Sequence, residues 1–140
     1  WALLLDEDGF ITEGTGDNFF IVKDGTVTTP EGRNILRGVS REYIFELCEQ
    51  MNIPCVEKNI EPYDVYNADE AFMTATPFCV LPVTRFNGED IGNGKMGEMT
   101  TNLLDKWSSN VGLDIVEQIK SYAKQSNLEA GASPYEFKKK

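Results

Sequence analysis

The feature that most constrains the fold is a β-hairpin signal that directly follows a glycine-containing turn. Residues 18–23 are mostly apolar, and Asp24-Gly25 separates them from the β-branched run at 26–29. Asp-Gly between two such runs is typical of a type I′ hairpin, because both turn positions take positive φ. Just upstream, residues 12–18 place Glu13 at a predicted strand end, beside two glycines that let the backbone turn sharply. Glu13 is therefore either a solvated carboxylate in a plain turn or a ligand contact.

Short strands and helices are predicted along the rest of the chain. Apolar runs bounded by turn residues predict strands at 2–6, 10–12, 53–58, 70–74 and 78–83, and Asn87-Gly88 predicts a second hairpin. Helical spacing of apolar residues predicts helices at 40–51, 98–111 and 113–122, with a single helical turn that starts at Pro62. From residue 124 the chain is polar and ends in three lysines, which we interpret as a loosely held tail.

Composition excludes several classes of function. The 140 residues are enough for one domain with a core, and the net charge of −10 disfavours nucleic acid or an anionic membrane as partner. No apolar run approaches the roughly 20 residues of a transmembrane helix. The chain has no histidine, which argues against zinc sites and histidine-based triads. Cys48, Cys55 and Cys79 form no C-x-x-C pair, so we expect buried, reduced thiols of a cytoplasmic protein.

Two further stretches could contact a ligand. Gly38-Val39-Ser40 begins a predicted helix with Ser40 as its N-cap, and such a start is either simply a capped helix or an anion site. Residues 74–77 form an irregular corner because proline cannot donate to a sheet, so Thr76 either marks a strand break or offers its hydroxyl and amide. The Gly-rich stretch 92–95 does not match a phosphate-binding loop, since Met96 replaces the required Ser or Thr.

Taken together, three stretches resemble the class IV, fold type IV pyridoxal-phosphate enzymes. The stretches are Thr12–Phe20, Ile35–Arg41 and Asp69–Thr76 with the following Leu81–Val83. That family includes branched-chain aminotransferases, D-amino-acid transaminases and aminodeoxychorismate lyase. The resemblance implies an α+β fold, a β-rich pseudo-barrel-like domain with flanking helices. It implies that residues 1–123 belong to the large cofactor-binding domain, followed by the polar tail at 124–140.

The resemblance also implies the role of each cofactor-binding residue. Glu13 matches the carboxylate that pairs with the pyridine nitrogen of pyridoxal phosphate and favours its protonated form. Leu36 matches the residue that packs on the ring face. The helix start Gly38-Val39-Ser40 and the corner residue Thr76 match the groups that hold the phosphate. The two anion candidates thus converge on one ligand.

The resemblance has two departures. The Schiff-base lysine of the family, and the arginine that contacts the phosphate, match positions upstream of Trp1, and Lys23, Lys58 and Lys95 lie outside the matching motifs. No catalytic residue is therefore assigned within this chain. The second departure concerns the substrate-binding residues, which match Ala75, Thr76 and Pro77. Pro77 has no N–H, so it cannot donate the backbone hydrogen bond that helps to bind the substrate carboxylate in branched-chain enzymes. Ala75 lacks the hydroxyl that some relatives have at that position.

The function that the resemblance implies is transamination between an amino acid and a 2-oxo acid by a homodimeric enzyme. This chain would supply the contacts to the pyridine nitrogen and the phosphate, and alone it would not transaminate. Two alternatives stay open: a pyridoxal-phosphate lyase of the same fold, which would use the same residues, and a non-catalytic binding domain derived from the fold.

Overall fold

The computed structural model describes residues 1–129, with side chains described up to residue 124. The strands are β1 (Leu3–Leu5), β2 (Ile11–Gly14), β3 (Asn18–Lys23), β4 (Thr26–Thr29), β5 (Cys55–Glu57), β6 (Glu70–Ala75), β7 (Cys79–Val83), β8 (Arg85–Phe86) and β9 (Glu89–Asp90). The helices are α1 (Val39–Gln50), α2 (Pro62–Tyr66), α3 (Glu98–Val111) and α4 (Ile115–Glu129). The predicted α+β class is confirmed.

Strand β3 is the centre of a five-stranded sheet with the order β5-β4-β3-β6-β7. It pairs antiparallel with β4 and β6, whereas β4 and β5 run parallel. The predicted hairpin between β3 and β4 is confirmed, with φ of 48° at Asp24 and 74° at Gly25. Pro82 lies in the edge strand β7, where its missing amide hydrogen is tolerated.

Both faces of this sheet are buried, because successive side chains of a strand point to opposite faces. Phe20 and Val22 pack in one core with apolar residues of α1 and α3, and Phe20 stacks on Phe72 with ring centroids 4.8 Å apart. Phe19 and Ile21 pack in a second core on the other face. The continuous apolar run is thus the signature of a central strand covered on both sides.

Helix α1 begins one residue earlier than predicted, and the prediction that Ser40 is its N-cap is wrong. The N-cap is Gly38, which has no side chain that could cap the helix, and Ser40 lies inside the first turn. Helix α4 runs to Glu129 instead of ending at Tyr122. Residues 124–129 of the predicted tail are therefore helical, and residues 130–140 lie outside the described part of the chain.

The cysteines form no disulfide, but only Cys48 is buried, so the expectation of burial is wrong for the other two. Cys55 and Cys79 are half-buried because they lie at strand ends. The neighbouring thiols of Cys48 and Cys55 interact, and this interaction lowers the pKa of Cys48 and raises that of Cys55. Within residues 1–129, no helix has both the length and the apolar character needed to cross a bilayer.

Candidate cofactor-binding site

One cavity of about 350 Å³ lies where the ends of β2 and β6 meet the first turn of α1. It contains every site residue predicted from the sequence. These are Glu13, Leu36, Gly38, Val39, Ser40, Ala75, Thr76 and Pro77. Three stretches that lie far apart in sequence therefore meet around one space, as a single ligand would require.

Glu13 projects from β2 and is tied to the loop that precedes α1. Its Oε2 accepts hydrogen bonds from the backbone N–H of Leu36 at 2.9 Å and from Nδ2 of Asn18 at 3.3 Å. Nδ2 of Asn18 also donates to the carbonyl of Leu36 at 2.8 Å. Oε1 of Glu13 receives no hydrogen bond from any side chain or backbone group that the structure describes, so it can accept one from a ligand. The carboxylate is thus held in place with one oxygen unused.

The first turn of α1 presents backbone amides to the same cavity. A Cβ on Gly38 would clash with Oδ1 of Asn18, so a larger residue there would displace the Asn18 side chain that donates to Glu13. Behind it, the amides of Val39 and Ser40 are among the first donors of the helix, which have no partner within the helix itself. Together with the positive end of the helix dipole, they favour an anion. The hydroxyl of Ser40 makes no hydrogen bond to any described residue.

Arg41 anchors this first turn, although sequence reasoning assigned it no role. Its side chain is buried, with the whole residue 1% exposed. The guanidinium donates to the carbonyl of Pro30 at 3.1 Å and forms ion pairs with Glu57 and Glu42. It also lies over the ring of Phe45, 5.1 Å from the centroid. A buried arginine with several partners fixes the start of α1 against the loop after β4 and the strand β5.

The predicted irregular corner between β6 and β7 closes the far side of the cavity. The backbone N–H of Phe78 donates to the carbonyl of Ala75 at 3.3 Å, and Cys79 takes a positive φ of 59°. Thr76 and Pro77 are exposed in this turn. Within the described part of the chain the Thr76 hydroxyl has no partner, which leaves it available to a ligand.

Seven residues that line the cavity were not predicted as site residues: Leu4, Gly14, Thr15, Gly16, Asp17, Asn18 and Thr74. Thr74 is 1% exposed, and its hydroxyl has no hydrogen-bond partner among the described residues. Asp17 and Asn18 are buried next to Glu13, and their position directly before a continuous apolar strand was the available signal. Burial raises the pKa of Asp17, and the nearby charge of Glu13 raises it further.

A larger cavity of about 640 Å³ lies on another part of the surface, between β1 and the strands β7 and β8. It is lined mainly by apolar side chains and contains none of the predicted site residues. Among the residues that the structure describes, no group of three metal-ligating side chains could hold a metal ion. The cavity at Glu13 is therefore the one that combines charge, free donors and the predicted residues.

Comparison with known proteins identifies the family. Residues 1–86 match the sequence model of amino-transferase class IV. The chain is 42% identical over 107 residues to a putative branched-chain-amino-acid aminotransferase of Methanocaldococcus jannaschii, with 76% of this chain and 37% of that protein covered. It is 38% identical over 101 residues to a D-alanine aminotransferase of Bacillus licheniformis, with 71% and 36% covered.

Solved structures agree with this assignment. The T.th. branched-chain amino acid aminotransferase with pyridoxamine 5'-phosphate matches with a TM-score of 0.75 and 32% identity, over 79% of this chain and 37% of that one. The Escherichia coli branched-chain amino acid aminotransferase gives a TM-score of 0.73 and 34% identity, over 79% and 37%. The chain thus spans about a third of the length of the proteins that it matches.

Proposed function

Because the chain belongs to the class IV aminotransferase family, we propose that it is the cofactor-binding part of an enzyme that exchanges an amino group between an amino acid and a 2-oxo acid. The observation that carries the proposal is the convergence of Glu13, the start of α1 and Thr76 on one cavity. A carboxylate on one wall and an anion site on another match the two polar ends of pyridoxal phosphate. A related structure contains pyridoxamine 5'-phosphate, which has the same two ends.

The cavity suits this cofactor because several polar groups of the protein there have no hydrogen-bond partner within the described part of the chain. Four groups have no hydrogen-bond partner among the groups that the structure describes: Oε1 of Glu13 and the hydroxyls of Ser40, Thr74 and Thr76. Buried or half-buried polar groups are normally paired, so Oε1 of Glu13 and the hydroxyls of Ser40 and Thr74 point to a polar ligand, which the exposed Thr76 hydroxyl could also contact. Glu13 would hold a proton on the pyridine nitrogen, while the amides of Val39 and Ser40 with the Thr76 hydroxyl would bind the phosphate.

Pyridoxal phosphate, when bound, supplies the electron sink that amino-group transfer needs. The residues of this chain bind and orient it. Oε2 of Glu13 is tied to the Leu36 amide, so the carboxylate cannot turn away from the cavity without breaking that hydrogen bond. The Leu36 side chain, which is 79% exposed, would cover one face of the ring. Burying this apolar side chain against the ring would add to the binding free energy.

The substrate side differs from that of branched-chain enzymes. Pro77 lines the cavity but has no N–H, so it cannot bind a substrate carboxylate through its backbone. Ala75 offers no hydroxyl at the neighbouring position. We propose that the substrate carboxylate is bound by other groups of the complete enzyme, which we expect to be a homodimer.

The phosphate contact can be tested with Thr76→Val in the complete native protein. Valine keeps the shape of threonine and removes the hydroxyl, so pyridoxal phosphate should bind roughly tenfold more weakly, as for the loss of a hydrogen bond to a charged group. Thr26→Val on β4 is the matched control, because Thr26 lies outside the cavity and its hydroxyl makes no hydrogen bond to a described residue. Equal dissociation constants for both variants, measured by cofactor fluorescence, would remove Thr76 from the site. Assays with amino acid and 2-oxo acid pairs would separate a transaminase from a lyase.

A further inference from the structure

Asp17 is a buried carboxylate with no side-chain partner to balance its charge among the described residues. It is 7% exposed, and neither of its side-chain oxygens has a well-formed hydrogen bond to a described residue, although the backbone N–H of Gly16 is close enough to lower its pKa. It lies in the turn between β2 and β3, where its carbonyl accepts a hydrogen bond from the Gly14 amide at 2.9 Å. An ionised carboxylate is rarely buried unless it is paired with a cation or fully hydrogen-bonded.

The glycine at position 14 leaves the space that the Asp17 carboxylate occupies. A Cβ on Gly14 would clash with Oδ1 of Asp17, so a larger residue there would force the Asp17 side chain out of this position. No lysine or arginine between residues 1 and 124 forms an ion pair with it. Burial disfavours the charged form of this carboxyl and raises its pKa, and Glu13 adds a second negative charge nearby. The Asp17 carboxylate is thus buried next to a second carboxylate, and no described side chain supplies a positive charge to balance it.

We propose that Asp17 pairs with a lysine or arginine side chain that lies outside the described residues, on a neighbouring segment of the native polypeptide. The surface beside Asp17 has room for such a segment. Strand β1 pairs with β2 alone among the described strands, so its other edge is open. Leu4, which lines the same cavity as Asp17, is 43% exposed, and Leu5 is 53% exposed.

A segment that covered these leucines would bury apolar surface and could bring a cation to Asp17. The matched relatives are about three times as long as this chain and so contain further segments. The pairing follows from the burial of Asp17 and does not depend on which ligand occupies the cavity. Asp17 would then be a positioning residue, since it fixes the added segment against β1 and beside Glu13.

The test is the sign of the change in thermal stability caused by Asp17→Asn in the complete native protein without added ligand. If Asp17 is paired, asparagine leaves a buried cation without its partner, and the Tm should fall by on the order of 5 °C at pH 7. Asp105→Asn on the exposed surface of α3 is the matched control and should change the Tm little. A Tm that is unchanged or raised by Asp17→Asn would overturn the proposal, because removing an unpaired buried charge does not destabilise a protein.

A second measurement needs no variant. In a crystal structure of the complete native protein, a lysine or arginine nitrogen should lie within about 4 Å of an Asp17 oxygen. If the Asp17 oxygens instead face water, a backbone amide or the amino group of a small molecule, the proposal is wrong. Replacing the identified cation with methionine in the Asp17→Asn background should recover most of the lost stability, as expected for a coupled pair.

Discussion

Asn18→Asp is the substitution that most sharply tests how the site is built. Nδ2 of Asn18 donates to Oε2 of Glu13 at 3.3 Å and to the Leu36 carbonyl at 2.8 Å, so one amide group ties β2 to the loop before α1. Aspartate has the same shape but no donor. The substitution therefore changes the charge and the hydrogen bonds at this point and leaves the packing nearly constant.

The expected cost can be worked out from these contacts. Two carboxylates about 4 Å apart repel by about 4 kcal/mol at an effective dielectric constant of about 20, and the open side of the cavity reduces this by screening. Loss of the hydrogen bond to the Leu36 carbonyl adds about 1 kcal/mol. We therefore expect the free energy of unfolding of the complete protein to fall by roughly 3–5 kcal/mol near neutral pH.

Urea unfolding of the Asn18→Asp and Asn102→Asp variants measures this difference. Asn102 is exposed on α3, so the same chemical change there should cost less than about 0.5 kcal/mol. The penalty at position 18 should shrink as the pH falls towards about 4, since protonation of either carboxylate removes the repulsion. Equal costs at both positions, or a penalty that does not depend on pH, would refute the proposed tether between Asn18 and Glu13.

Two further predictions concern the frame of the site. Gly14→Ala should destabilise the protein by about 1–3 kcal/mol, because the new Cβ would meet the Asp17 carboxylate, whereas Gly16→Ala has open space and should be nearly neutral; thermal melts of the two variants at one pH compare them directly. The pKa of Asp69 is lowered, first by its hydrogen bond to Lys23, so its contribution to stability is present above its unfolded pKa of 3.8 and is lost as the pH falls through the folded value. Asp69→Asn should thus lower the Tm by roughly 1 °C at pH 7 and not at about pH 2, and an equal difference at both pH values would contradict this.

The parts of the fold that could be predicted from the sequence are those set by local chemistry. Asp24-Gly25 forms the predicted hairpin because both residues take the positive φ that a type I′ turn requires. Helix α3 has the predicted bounds because its apolar residues recur at helical spacing and Gly112 ends it in the left-handed region. Helix α4 was predicted too short, since the polar composition after residue 122 obscured a helix that continues to Glu129.

The site residues that could be predicted from the sequence are those whose residue type alone suggests contact with a ligand. Glu13 and the helix start were noticed for their residue types, and the structure places both in one cavity. Arg41 and Thr74 could not be recognised, because their importance depends on burial and on partners distant in sequence. Asp17 was visible in the motif, but only the structure shows that both of its oxygens are buried without a hydrogen-bond partner among the described residues.

The central claim is that Glu13 meets the pyridine nitrogen of pyridoxal phosphate, and ¹⁵N nuclear magnetic resonance of cofactor labelled at that nitrogen tests it most directly. In the complete native protein we expect the chemical shift of a protonated ring nitrogen, and in Glu13→Gln that of an unprotonated one, with the cofactor still bound and most of the turnover lost. The Glu7→Gln variant, changed at an exposed residue of the β1–β2 turn, should match the native spectrum. A ring nitrogen with the same chemical shift in the native protein and in Glu13→Gln would contradict the assignment.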